Sequence, residues 1–383
     1  MVKQIVIVGG GIIGLSCAFE LAMRGHAVTI VEQGECGGQA SGAAAGMLTP
    51  YSENVEQADP FFLFSQESLR LYPEWIRQIG RFSQIDAQYR QSGSLNVVFH
   101  QADLLPMEKR LHWQRQYGLE AEIVEGERLR KLEPALSPSI QAAVHVPEEA
   151  HLYAPSYARA LKDACEKAGV QICEHEQVTG WKQDARTLIT RSDRNIPYEQ
   201  LLICSGAWTG MFAEALSLEL PVYPIRGQIC AFPQREEAPV HHIVFSSQGY
   251  MVAKDNGSFV IGASEDVAGF CTDVTEQGIE RLCRWSRKVF PHLNQLEPHF
   301  SWAGLRPATQ DGFPLLGWAD QEKGIAIAAG HYRNGILLSP VTAQSAADLL
   351  EGEANRGALY RQAFEPQRFT SSISSPAGFS SVY

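Results

Sequence analysis

The chain has 383 residues, 45% of them hydrophobic and 20% charged, an ordinary globular composition with room for two domains or one carrying a large insertion. The formal net charge is −11 and no basic block stands out, which argues against nucleic-acid binding. No apolar run reaches the ~18 residues of a membrane span, and the first apolar stretch feeds straight into glycines instead of a cleavage site, so a cytoplasmic protein is expected.

Ile5-Val6-Ile7-Val8 is β-branched and reads as a strand. It enters Gly9-Gly10-Gly11-Ile12-Ile13-Gly14. Leu15, Ala18, Phe19 and Ala22 then recur at helical spacing, and a second apolar run closes on Glu32. Gly9, Gly11 and Gly14 match the dinucleotide fingerprint, and an acidic residue about 20 positions on suits a ribose hydroxyl. Gly9 permits the tight turn, Gly11 lets backbone approach a pyrophosphate at the helix N-terminus, and Gly14 allows close packing. A ligand-free glycine turn is the plainer alternative, but the strand–turn–helix–strand–Glu context weighs against it. Glu32, standing where an arginine would accept a 2′-phosphate, disfavours NADP.

Residues 34–50 are almost all small. Following a βαβ unit, such a loop suits close approach of backbone to a ligand better than it suits a linker. Asp59 to Ile79 has helical spacing, with Asp59-Pro60 as cap and first turn. Ser94 to Phe99 reads as a strand, and 102–117 and 127–132 as amphipathic helices. Pro155 to Ala168 is a helix stopped by Gly169, followed by the strand Val170 to Cys173. Leu201 to Trp208 is a buried strand ending in small residues. This layering predicts an α/β sheet. Residues 221–302 differ. Short runs at 228–232, 243–245, 250–253 and 258–262, with an Asp255-Asn-Gly257 turn, predict antiparallel sheet, and 276–290 a helix. The class is thus α/β, α+β overall. Near the other end, Ala328 to Ile336 is a second small-residue turn with Arg333, leading into a closing helix over 337–352. Ligand-type turns at both ends of the chain suggest FAD more than NAD. The Ser-rich end reads as a tail.

The eight cysteines form no C-x-x-C pair and read as free thiols. His241-His242 is the one adjacent histidine pair and lacks the spacing of a helical metal site. No metal is expected.

With these pieces in place, the chain resembles the D-amino acid oxidase superfamily of FAD proteins, and within it the glycine oxidases of thiamin biosynthesis. The likeness rests on Gly9 to Gly14, on Ser41-Gly-Ala-Ala-Ala-Gly-Met-Leu48, on Trp302-Ala-Gly-Leu-Arg-Pro307 with Asp311-Gly312, and on Gly330-His-Tyr-Arg-Asn-Gly-Ile-Leu-Leu338. The resemblance implies a Rossmann-like FAD-binding domain (1–82, 145–220 and 303–367), a substrate domain with a large antiparallel sheet (83–144 and 221–302), and a flexible tail over 368–383. It implies FAD contacts from Gly9, Gly11, Ile12, Ile13, Gly14, Glu32, Gln33, Ala40, Ser41, Ala45, Gly46 and Met47. Further contacts are implied for Val178 (on the adenine side), Gly206, and His331, Tyr332, Arg333, Asn334, Gly335, Ile336 and Leu337. Relatives that tether FAD use a cysteine in the C-terminal part. None lies beyond Cys283 here, so non-covalent FAD is expected.

An amino-acid oxidase needs a cation for the substrate carboxylate, and arginine supplies a permanently charged planar fork. By the resemblance, Arg306 is the bidentate clamp, Arg333 a second contact, and Tyr250 a pocket wall whose hydroxyl reaches the carboxylate. Met47 and Met251 are further lining candidates. No catalytic base is expected, because a neutral amine can drive hydride departure unaided, and His331 reads as a flavin contact or structural residue. The implied reaction oxidises glycine, sarcosine or small D-amino acids with dioxygen, giving 2-oxo acid, ammonia and hydrogen peroxide, and supplies an imine for the thiazole ring. The alternatives are a sarcosine or D-amino acid oxidase, a dehydrogenase with another acceptor, and a flavin-binding protein without turnover. A homotetramer is the family expectation.

Overall fold

The structure, a computed structural model, describes residues 2–54, 57–353 and 358–374. The β-branched run Gln4–Val8 lies at the centre of a six-stranded sheet, parallel to Ala27–Val31 on one side and to Gln200–Ile203 on the other. The order is Leu315–Asp320, Ile325–Ala329, Gln200–Ile203, Gln4–Val8, Ala27–Val31, Gln171–Cys173, with Leu315–Asp320 alone antiparallel to its neighbour. The helices Ile12–Met23, Pro60–Gly80, Ala154–Lys167 and Gly335–Glu351 share one core with it, built on Leu15, Phe19, Trp75, Tyr157 and Leu338. Asp59 caps its helix as expected, accepting from the Phe62 N–H at 2.7 Å. Pro340 sits inside the closing helix and cannot donate to the Ile336 carbonyl. The Tyr72 hydroxyl donates there instead, and Ser68 Oγ serves the Leu337 carbonyl.

A three-stranded sheet covers the other face: Val178–Lys182, Thr187–Thr190 and Asn195–Pro197. Its strands are short and turn-rich, so their hydrophobic period in the sequence is weak.

The 221–302 stretch contributes most of an eight-stranded sheet. The order is Phe300–Thr309, Val222–Pro233, Ser258–Gly262, Gly249–Ala253, Ile243–Ser246, Ser94–Val98, Ala142–Val146, Glu122–Glu125. It is mixed and not antiparallel throughout as expected: Ile243–Ser246 runs parallel to Ser94–Val98. The two strands come from separate excursions of the chain with no hairpin joining them, and a parallel pair requires such a long connection. Residues 303–309, expected with the dinucleotide domain, pair with Val222 to Gly227 and Gln228 in this sheet. Gly304 and Pro307 interrupt the strand signal there. Pro307 is tolerated because this is an edge strand. Residues 368–374, expected in a flexible tail, form part of a 3-10 segment, Pro366–Ser374. Arg368 there bonds Asp311 at 2.7 Å and the Phe313 carbonyl at 2.9 Å. The rest of that predicted tail lies outside the described residues.

All eight cysteines are free thiols. The backbone N–H groups of His241 and His242 donate to Glu133, so this pair belongs to a buried carboxylate's hydrogen-bond set. Among the described residues, no helix is long and apolar enough to cross a membrane.

Candidate active site

The two large sheets meet at a cavity of about 1060 Å³, above the ~300–1,000 Å³ typical of small-ligand pockets. Its lining includes Gly9, Gly11, Ile12, Ile13, Glu32, Gln33, Val178 and Gly206, together with Ala40, Ser41, Ala45, Gly46, Met47, His331 and Ile336. Tyr250, Arg306, Tyr332, Arg333 and Gly335 line it as well. Residues more than 300 positions apart in sequence thus share one chamber.

The glycine turn is shaped for a bulky ligand. A Cβ on Gly11 would meet only Ser41 Oγ, at 3.4 Å, whereas one on Gly14 would lie 1.9 Å from the Gly9 carbonyl oxygen. Gly14 therefore packs the turn and does not line the cavity. Gly11 leaves space open at the start of the helix Ile12–Met23, where the helix dipole favours phosphate. That helix lacks a side-chain cap from its own N-cap residue, and Ser41 supplies one, accepting from the Ile12 N–H at 2.8 Å. Glu32 accepts from the N–H groups of Gly10 (2.7 Å) and Gly34 (2.8 Å), which fixes its carboxylate at the cavity wall. A long glycine-walled chamber, an open helix N-terminus and a fixed acid at ribose distance along the motif fit FAD.

Asn334 and Leu337 do not line the cavity, and Leu337 is buried among the helices. Met251 is corrected by the structure. It alternates with Tyr250 on the strand Gly249–Ala253, so its side chain points to the opposite face and packs with Leu95, Val244 and Ile261.

Tyr250 belongs to a small apolar group with Met47, Ile229 and Trp302. Burial pushes its phenol up to about 12, so it stays a neutral donor. Arg306 projects from the edge strand and donates to the Ser264 carbonyl at 2.9 Å. Two glycines that sequence reasoning passed over make room for this pair. A Cβ on Gly227 would meet the Arg306 guanidinium at 2.3 Å, and one on Gly262 the Tyr250 hydroxyl at 2.5 Å. Both occur within strands, where a glycine often marks close approach. His331 is buried, with Nε2 3.1 Å from Thr342 Oγ1, and burial holds its imidazole down at about 3. It is neutral near pH 7.

Glu53 was also missed, since a lone glutamate after a small-residue loop carries no signal. It stands 3.1 Å from Arg333 Nε, and Glu265 lies 3.8 Å from Nη1. Glu53 ends the short helix Pro50–Glu53, whose Tyr51 and Ser52 N–H groups both donate to the fully buried Glu149, at 2.9 and 2.8 Å. The Ser52 and Ser94 hydroxyls fill the other Glu149 oxygen. Glu149→Ala should strand these donors and cost about 3 kcal/mol, read as a lower urea midpoint. It should also loosen Glu53 and Arg333, read as a changed Michaelis constant in whatever folded protein remains.

Comparison with known proteins places the site in context. The FAD dependent oxidoreductase family (DAO) matches residues 4–349. A glycine oxidase of Geobacillus kaustophilus (strain HTA426) is 33% identical over 352 residues, covering 91% of this chain and 93% of the relative. The crystal structure of glycine oxidase from Geobacillus kaustophilus superposes with a TM-score of 0.90 at 31% identity, over 96% of this chain and 98% of that one. The glycine oxidase structure from Bacillus cereus ATCC 14579 gives 0.86 at 30% identity, over 93% and 97%.

Proposed function

The chain belongs to the FAD dependent oxidoreductase family and is an FAD-dependent oxidoreductase, and from that premise we propose that it is a glycine oxidase. Glycine, and also sarcosine and small D-amino acids, is oxidised to the imine, which hydrolyses to glyoxylate or the 2-oxo acid with release of ammonia (methylamine from sarcosine). Dioxygen becomes hydrogen peroxide, and the imine serves thiazole formation in thiamin biosynthesis. A pocket discriminates by only ~1–3 kcal/mol per methylene, so overlap among these substrates is expected.

One observation carries this reading: Arg306 and Tyr250 face the same chamber as the glycine turn, each in a space cleared by a strand glycine. Arg306 receives the substrate carboxylate through its planar fork, and the neutral Tyr250 hydroxyl donates to the same group. Their joint hold fixes the carboxylate end of the substrate within the chamber that Met47 and Ala45 also line. FAD, when bound, supplies the hydride acceptor at N5. The chain's own residues bind and orient. Neither His331, held down near 3, nor Tyr250, held up near 12, titrates near neutrality. Neither of the two is therefore a proton acceptor for the substrate amine at neutral pH. FAD is held without a covalent bond, and the protein works in the cytoplasm as a homo-oligomer, a tetramer by family analogy.

Oxygen uptake with glycine, alongside assays for glyoxylate, ammonia and peroxide, tests the proposal. One equivalent of each product per dioxygen is expected; turnover of glycine without peroxide would assign a dehydrogenase instead.

A further inference from the structure

The two cavity arginines are countered differently. Arg333 has two carboxylates within 4 Å, Glu53 at 3.1 Å and Glu265 at 3.8 Å. Arg306 has no ion-pair partner among the described residues, and its bond is to the Ser264 carbonyl. The formal charges of Arg333, Glu53 and Glu265 sum to −1, while Arg306, which also acts on Glu53 through space, has no carboxylate within 4 Å among the described residues. The two acids also differ in setting. Glu53 has a 9% exposed side chain and is built into the wall through the Glu149-held turn, whereas Glu265 is 54% exposed and stands at the solvent side of the same guanidinium. Burial, and after it Glu265, push the phenol of Tyr332, the neighbour of Arg333, upward. The adjacent acid, Asp266, is engaged elsewhere, by Ser264, Gln228 and Arg226.

We propose that Glu265 is a specificity-determining residue: it occupies Arg333 and repels a second anionic group, so the site admits amino acids with one carboxylate and discriminates against amines bearing two. A substrate carboxylate on Arg306 leaves its nitrogen substituent or side chain pointing along the chamber. A second carboxylate there meets a cation already matched by Glu53, with an unneutralised acid beside it. Like charges juxtaposed in a partly desolvated site are a strong means of rejecting a wrong partner. Removing the Glu265 charge makes the Arg333 group neutral and lifts that rejection.

This rests on the amine-oxidase reading of the chamber, and the experiment separates the two. FAD-loaded wild-type, Glu265→Gln and Glu265→Asp proteins are titrated with propionate and with malonate, inert acids carrying one and two carboxylates, and binding is read from the flavin absorption band. The same proteins are assayed with sarcosine and with its N-carboxymethyl counterpart, iminodiacetate. Glu265 is exposed, so the variants should fold. In Glu265→Gln, preference for the one-carboxylate ligand is expected to fall about tenfold in both comparisons, with Glu265→Asp close to wild type. Ratios unchanged within about twofold in Glu265→Gln, while propionate still binds and sarcosine still turns over, would overturn the role of Glu265 alone. If neither acid perturbs the flavin and no amine is oxidised, the reading of the chamber fails and this inference with it.

Discussion

Replacing Arg306 with alanine is expected to raise the Michaelis constant for glycine by roughly 30- to 1,000-fold, the equivalent of about 2–4 kcal/mol for losing a charge-assisted, bidentate carboxylate partner. The effect should fall mainly on binding. The fold should survive, because among the described residues the guanidinium's one hydrogen bond is to the Ser264 carbonyl at 2.9 Å, and its removal leaves the space beside Gly227 open. Arg306→Lys should recover only part of the loss, because an ammonium offers a point charge and not a fork. Initial rates across a glycine series, with the flavin spectrum as a check on cofactor loading, decide the matter. An unchanged Michaelis constant would remove Arg306 from the site, and Arg333, already paired with Glu53, would be a poor substitute.

The second large effect is expected at the glycine turn. Gly11→Val should give a folded but colourless protein. Its backbone, φ −69 and ψ 178, is ordinary for any residue, and the new Cβ would meet only Ser41 Oγ at 3.4 Å. Its methyls would instead fill the space where the pyrophosphate approaches. Gly14→Val should behave differently, because its Cβ would lie 1.9 Å from the Gly9 carbonyl oxygen and must break the turn itself. Thermal unfolding and flavin content, measured on both, separate the two cases. A yellow Gly11→Val protein would contradict the assignment of the phosphate site. An equally unstable Gly11→Val would mean that its defect is structural.

Much of this was legible in the sequence because the signals are local. The β-branched run into Gly9–Gly14 gave strand, turn and helix in order, and the Asp59-Pro60 pair marked a helix start that the structure caps at Phe62. Tyr250, Arg306 and Arg333 were named from motif likeness, and all three line the chamber. The failures share a cause: they depend on partners distant in the chain. Nothing near Glu53 announces that Arg333 waits 280 residues away, or that Glu149 will hold its turn. Gly227 and Gly262 look like idle strand glycines until Arg306 and Tyr250 occupy the space they leave. Met251 went wrong by one step of strand alternation, which sends it to the far face from Tyr250. Pro307 hid an edge strand, so the sheet boundary was placed too early.

The most direct test of the central claim is anaerobic reduction of the purified yellow protein by glycine, followed at the flavin bands. The account predicts bleaching by glycine, restored colour and peroxide when air returns, with overlapping bleaching by sarcosine and D-alanine. Flavin that stays oxidised with every small amino acid would contradict it, leaving the fold and the cofactor in place but removing amine oxidation as the reaction.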